Sequence, residues 1–147
     1  MNEGTESEVS SERLAIELSL AIGQLRRRLK TVVQPLNCNL SQMATLIRLE
    51  QNGEMTTSDL ARAEAMKPQS MGAILADLQR GGLVDRRPDP ADGRQVQYFL
   101  TDAGRETRQA YRLARRGWLL SAIASRSPDE RARLVDAITL IRQLGEC

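Results

Sequence analysis

The side chains in this chain that could do chemistry are donors and fixed charges, not catalysts. There is no histidine, which removes the commonest general base and nucleophile activator. The two cysteines, Cys38 and Cys147, stand far apart, and no cluster supplies the three or four ligands that a zinc site needs. Asp and Glu residues mostly fall at helix starts, where capping accounts for them. What remains is a short set: Lys67, Gln69 and Ser70 at the start of one helix, Arg86 and Arg87 in a strand, and Arg94 beside Gly93 in a turn. Cations, an amide and a hydroxyl at a surface suit non-covalent recognition of anions and base edges. No cofactor and no metal are expected, and an enzyme is the weakest of the function classes.

Charge points the same way without deciding it. The formal net charge is +2, but residues 1–12 hold Glu3, Glu6, Glu8 and Glu12 and no Lys or Arg. From Arg13 onward 21 basic residues face 15 acidic ones, a bias compatible with a polyanion partner and equally with a merely soluble basic surface. At 41% hydrophobic, 27% charged and 3% aromatic, the chain is expected to be a helical globular protein. A length of 147 residues suggests one domain, over residues 12–147, behind a disordered lead-in at 1–11. No apolar run approaches the roughly 20 residues of a membrane span, so no membrane partner and a cytoplasmic location are expected.

These groups must be positioned by elements, and the central one runs from Lys67 to Arg80. Pro68 suits the first helical position, and Met71, Ile74, Leu75 and Leu78 form one buried stripe. The opposite face carries Gln69, Gly72, Ala73 and Ala76, stripped of the bulk that a solvated face usually has. Gly72 costs a helix interior about 1 kcal/mol relative to Ala, so something is expected to approach that face closely. Before it, Thr56 and Asp59 have capping-box spacing over a short helix with Leu60, Ala61 and Ala65. Two short helices with so brief a turn make a helix-turn-helix candidate. After it, Gly81-Gly82 stops the helix, Leu83–Arg87 reads as a strand, and Val96, Tyr98 and Leu100 alternate on one face of another. Asp92-Gly93 between them predicts a hairpin turn, and Pro88 and Pro90 suit an exposed tip. The flanks are helical: a long amphipathic helix from Glu12 to about Pro35 with Arg26, Arg27, Arg28 and Lys30 near its end, a helix Gln42–Gln51 capped by Ser41 after a loop, a long helix after Thr101-Asp102, and a last one opened by the capping box at Ser127–Glu130. The fold class is mainly α with a small β-hairpin wing, a winged helix-turn-helix between long terminal helices.

With those residues the chain resembles the MarR family of bacterial transcription regulators. The specific parts are Leu60-Ala61, the Lys67–Leu78 helix, Gly82-Leu83-Val84-Asp85-Arg86, the Asp92-Gly93-Arg94 tip and Leu100-Thr101-Asp102-Ala103-Gly104. The resemblance covers roughly Leu14 to Leu144 and implies a homodimer on palindromic double-stranded DNA. It places dimerisation in helices 12–36 and 102–147, through Leu14, Leu18, Ile22, Leu134, Ile138 and Ile141, and the winged helix-turn-helix at 41–101. It implies an ion pair between Asp92 and an arginine bracing the hairpin. It also implies that a small aromatic effector can bind beside the dimerisation helices, with Leu25, Leu29, Leu36, Tyr111 and Trp118 as wall candidates, though core packing explains each of these as well.

Within that frame the DNA-binding set is Lys67, Pro68, Gln69, Ser70, Gly72, Ala73, Arg86, Arg87, Asp92, Gly93 and Arg94. Lys67 and Ser70 suit phosphate, Gln69 can pair bidentately with adenine, and Ala73 can touch a thymine methyl. Many family members carry Ser then Arg where this chain has Gly72 and Ala73, so guanine reading there is lost. Arg94 can extend into a narrow minor groove. Two other readings compete: a winged-helix module that binds proteins and not DNA, and a regulator that senses oxidants through Cys38, against which stands an inert buried thiol.

Overall fold

The computed structural model describes residues 9–147, so most of the segment expected to be a disordered lead-in lies outside the described residues. Helix α1 (Ser11–Val33) opens on Ser10, whose side chain accepts from the Arg13 amide. A 3-10 turn at Gln34–Leu36 follows, ended by Asn37 in the left-handed region. Helix α2 (Leu40–Asn52) starts two residues earlier than expected. Its cap is Asn39, not Ser41: the Asn39 side chain takes the Gln42 amide while the Gln42 side chain takes the Asn39 amide. That reciprocal pair satisfies two orphan donors at once, which a Ser41 cap with Ala44 three residues inside it would not.

A two-residue strand, β1 (Met55–Thr56), leads into α3 (Thr57–Ala63), capped by Thr56 on the Asp59 amide. Helix α4 (Pro68–Arg80) follows after a turn in which Ala65 holds φ 51°, a left-handed conformation that is costly for any residue with a Cβ. Strands β2 (Val84–Pro88) and β3 (Val96–Leu100) form the hairpin, with Arg86 opposite Tyr98 and Pro88 opposite Val96. β1 also pairs with β3, giving a three-stranded antiparallel sheet in the order β1-β3-β2. The chain ends with α5 (Asp102–Ala124) and α6 (Pro128–Gly145), the latter carrying the full Ser127–Glu130 capping box.

The core belongs to the winged lobe. Leu46, Leu60, Met71 and Leu75 are wholly shielded, joined by Val33, Met43, Leu78, Val84 and Tyr111. Ile74, predicted in the same stripe, is only half-buried and packs at the margin. Gly104 fixes how α5 enters: a Cβ there would stand 2.0 Å from the Leu83 carbonyl oxygen. Only glycine lets the helix start this close to the strand entry. Thr101 completes the corner, its hydroxyl donating to the Gly82 carbonyl at 2.6 Å and accepting from the Gly104 amide.

Outside the winged lobe the apolar surface is uncovered. From Leu14 onward the exposed large apolar side chains all lie on α1, α5 or α6, and α6 has no buried residue. Among the described residues no helix is long and apolar enough to cross a membrane.

Candidate nucleic-acid interface

Five of the six α-helices among the described residues open on a side chain that accepts from a first-turn amide: Ser10, Asn39, Thr56, Thr101 and Ser127. Helix α4 does not. Its N-cap is Lys67, with no side-chain hydrogen bond, and Pro68 has no amide to offer. The N–H groups of Gln69 and Ser70 therefore reach no partner among the described residues. A helix N-terminus in that state presents donors and the positive end of the dipole to an incoming oxygen. Lys67, Pro68, Gln69 and Ser70 are all exposed around it.

Further along α4 the outer face stays low. Ala73 and Ala76 are exposed, Gly72 is half-covered, and a Cβ built on Gly72 would meet nothing within 4 Å. Nothing among the described residues demands glycine there. Asp77 and Arg80 pair with each other at the end of the helix, which leaves Lys67 as the unpaired cation of α4. The inner face sits on α2, where the Thr45 hydroxyl lies 3.7 Å from the Met71 sulfur.

The wing places three arginines in different states. Arg94 is exposed at the tip, and its guanidinium has no acidic partner among the described residues. Arg86 is likewise exposed and unpaired, facing the groove between the wing and α3 that Thr57, Ser58 and Arg62 also line. Arg87 is engaged: its guanidinium meets Glu54 at 2.5 and 3.0 Å and lies over the Phe99 ring at 5.8 Å. The brace expected at the tip also differs. Asp92 accepts from the backbone amide of Arg94 at 3.1 Å, not from a guanidinium, while Asp89 takes the Ala91 amide and the Gln97 side chain. The wing is braced by Asp–backbone bonds at its tip and by the Arg87–Glu54 pair at its root.

The remaining expected sites separate. Leu14, Ile22, Leu134, Ile138 and Ile141 are exposed and Leu18 is half-buried, all on the uncovered helices. The five effector-wall candidates differ in state: Leu25 is exposed, Tyr111 is in the core, Leu29 and Leu36 are half-buried, and Trp118 lies under the Arg28 guanidinium at 5.8 Å. A cleft of about 670 Å³ opens beside Arg27, Lys30, Gln34, Asn37, Cys38 and Gln42. Cys38 is buried and free, and burial pushes its thiol pKa up, which disfavours the reactive thiolate.

Sequence reasoning passed over one cluster entirely. Arg108 of α5 is buried against Glu50 of α2, Nε to carboxylate 2.9 Å, and Arg112 reaches the same carboxylate at 2.6 Å. Desolvation lowers the Arg108 pKa, and the Glu50 charge opposes that. Arg108 lies one turn from Tyr111 on the inner side of α5, a position at which a buried arginine needs a carboxylate; that was the available signal.

Comparison with known proteins agrees with this geometry. Residues 38–96 match the MarR family profile. The chain is 39% identical to an HTH-type transcriptional regulator of Mycobacterium leprae, ML2140, over 92% of this chain and 94% of that protein. The crystal structure of RV1404 from Mycobacterium tuberculosis superposes with a TM-score of 0.82 at 25% identity, covering 97% of this chain and 99% of that one. The apo form of wild-type MarR from E. coli shares the fold, with a TM-score of 0.74 at 22% identity over 87% and 96% of the two chains.

Proposed function

The chain belongs to the MarR family and is a DNA-binding transcriptional regulator, and from that premise we propose that it works as a homodimeric repressor on a palindromic operator. The uncapped start of α4 carries the reading: every other α-helix among the described residues closes its own first turn, and this one leaves the Gln69 and Ser70 amides open. In a major groove those amides and Lys67 take phosphate oxygens, Gln69 reads an adenine, and the low surface at Gly72 and Ala73 lets the backbone come close to the bases. Arg94, unpaired at the wing tip, supplies a minor-groove contact, and Arg86 a phosphate contact. Arg87, already held by Glu54, stiffens the wing.

Dimerisation is supported by the distribution of exposed apolar side chains, which crowd onto α1, α5 and α6. An apolar face of that extent marks an interface. The cleft beside Arg27 and Lys30 joins two cations to a largely apolar surface, which suits a small effector with an anionic group on an apolar body.

The test is binding to duplexes selected from a random library, measured across a salt series. A palindromic half-site pair should emerge, with affinity falling steeply as salt rises. Arg94→Ala should weaken all sequences and reduce the salt slope by about one. Salt-independent binding, or no enrichment of paired half-sites, would overturn the proposal.

A further inference from the structure

Helix α5 makes polar attachments to the winged lobe at two places, with Tyr111 packed in the core beside the second. The first is its start, where Gly104 abuts the Leu83 carbonyl and Thr101 donates to Gly82. One such attachment is a pivot and leaves the helix free to change its angle. The second lies roughly 6 to 12 Å further along the helix axis, four to eight residues on at about 1.5 Å each. There the Glu50 carboxylate of α2 is held from both sides, by Arg108 at 2.9 Å and Arg112 at 2.6 Å. Two attachments fix an angle.

We infer that Glu50, gripped by Arg108 and Arg112, is the positioning residue that sets the angle between α5 and the winged lobe, and with it the spacing of half-sites the protein accepts. The inference rests on the homodimer reading, since spacing has meaning only for paired recognition helices.

Three observations favour an orienting role over a merely cohesive one. The Arg108 side chain is 7% exposed, and among the described residues neither its Nε nor its Nη1 has a hydrogen-bond partner beyond the ion pair with Glu50, so swinging α5 away from α2 would strand a buried cation. Glu50 is outnumbered, because Arg115 also packs here, its guanidinium 5.3 Å from the Tyr111 ring centre that Arg108 faces at 5.8 Å. A cluster with one carboxylate and several cations has few ways to satisfy itself, so it tolerates few angles. Ion pairs such as these, with one partner buried and the carboxylate partly exposed, add little cohesion compared with apolar packing; what they add is direction. Finally, α2 carries the position of Glu50 onward to the reading elements. Arg48 pairs with Glu64 just past α3 at 2.8 Å, and Thr45 and Leu46 pack on α4 through Met71.

The experiment measures dissociation constants for a single half-site and for paired half-sites at the selected spacing and at one base pair more or less. It compares wild type, Glu50→Gln, Arg112→Ala and Arg112→Lys, each with a thermal melt. Wild type should prefer its own spacing by about tenfold or more, a usual size for coupling between sites. Glu50→Gln and Arg112→Ala should reduce that preference to about threefold or less while single half-site affinity stays within about twofold. Arg112→Lys, which keeps the charge, should retain most of the preference. Arg112 is half-exposed, so its variants carry the test if Glu50→Gln does not fold. A purely structural role would lower the melting temperature and leave the spacing ratio alone, and that result overturns the inference. If wild type binds paired half-sites more tightly than one but shows no spacing preference, the inference falls; if pairing the half-sites gains nothing, the homodimer reading falls and this inference falls with it.

Discussion

Replacing Gly104 with alanine should cost far more than a methyl group suggests. The added Cβ would stand 2.0 Å from the Leu83 oxygen, 3.0 Å from the Leu83 carbonyl carbon and 3.4 Å from Leu100 Cδ2. The first contact is with backbone, so no rotamer change relieves it, and α5 must retreat by about 1 Å or more to restore an ordinary separation. The same corner holds three hydrogen bonds: Thr101 N to Leu83 O at 3.2 Å, the Thr101 hydroxyl to Gly82 O at 2.6 Å, and Gly104 N to the Thr101 hydroxyl at 3.1 Å. Losing two of them costs about 2 kcal/mol, and the disturbed packing under Leu100 adds about 1–2 kcal/mol. The gain in helix propensity returns at most about 1 kcal/mol. A net loss of roughly 2–3 kcal/mol corresponds to a fall in melting temperature of roughly 4–12 °C for a chain of this size. Thermal melts by circular dichroism at one fixed protomer concentration measure it. If Gly104→Ala melts within about 1 °C of wild type, the close approach of α5 to β2 is not a constraint and the argument from it fails.

The same substitution at Gly72 should have the opposite sign: with nothing near the new Cβ, Gly72→Ala should raise stability by up to about 1 kcal/mol while weakening operator binding, and unchanged affinity would make the glycine incidental. Ala65 holds φ 51°, so Ala65→Gly should relieve about 1–2 kcal/mol of strain against about 0.5–1 kcal/mol of added unfolded-chain entropy, a net gain of about 0.5–1 kcal/mol; a loss of stability in chemical denaturation would refute the strain. Burial raises the Cys38 thiol pKa while Cys147 is exposed, so at pH 8 an alkylating reagent followed by mass spectrometry should modify Cys147 at least about tenfold faster, and comparable rates would reopen an oxidant-sensing role. In DNA, thymine-to-deoxyuridine replacement at single operator positions should reveal one that loses affinity through the missing methyl; no such position would remove Ala73 from base reading.

The helices were legible because their periodicity and caps are local. Ser127-Pro128-Asp129-Glu130 announced α6, Thr56 and Asp59 announced α3, and Asp92-Gly93 announced the hairpin, each through bonds spanning three residues or fewer. The choice of Ser41 over Asn39 failed between two good capping residues, and the deciding signal was Gln42, three residues after Asn39 and able to answer it. β1 escaped because two residues show no alternation, and its place is set by Tyr98 and Gln97 across the sheet. The state of each arginine was the least legible feature. Arg87 and Arg94 look alike in sequence, and only the chain's return at Glu54 separates a brace from a free cation. Arg108 and Glu50 meet across α2 and α5 for the same reason. Charges distant in sequence carry no period to announce a partner.

The bareness of α6 has a consequence in time as well as in space. A helix without one buried residue draws little lifetime from its own protomer, since local opening is governed by the contacts that opening must break. In the proposed homodimer its persistence then depends on how often another copy of the chain is at hand, and mass action makes that a matter of concentration. A scarce population would spend longer with α6 open to proteolysis and be cleared faster than an abundant one. The supply of regulator would thus carry its own threshold, set by apolar surface that the winged lobe leaves uncovered.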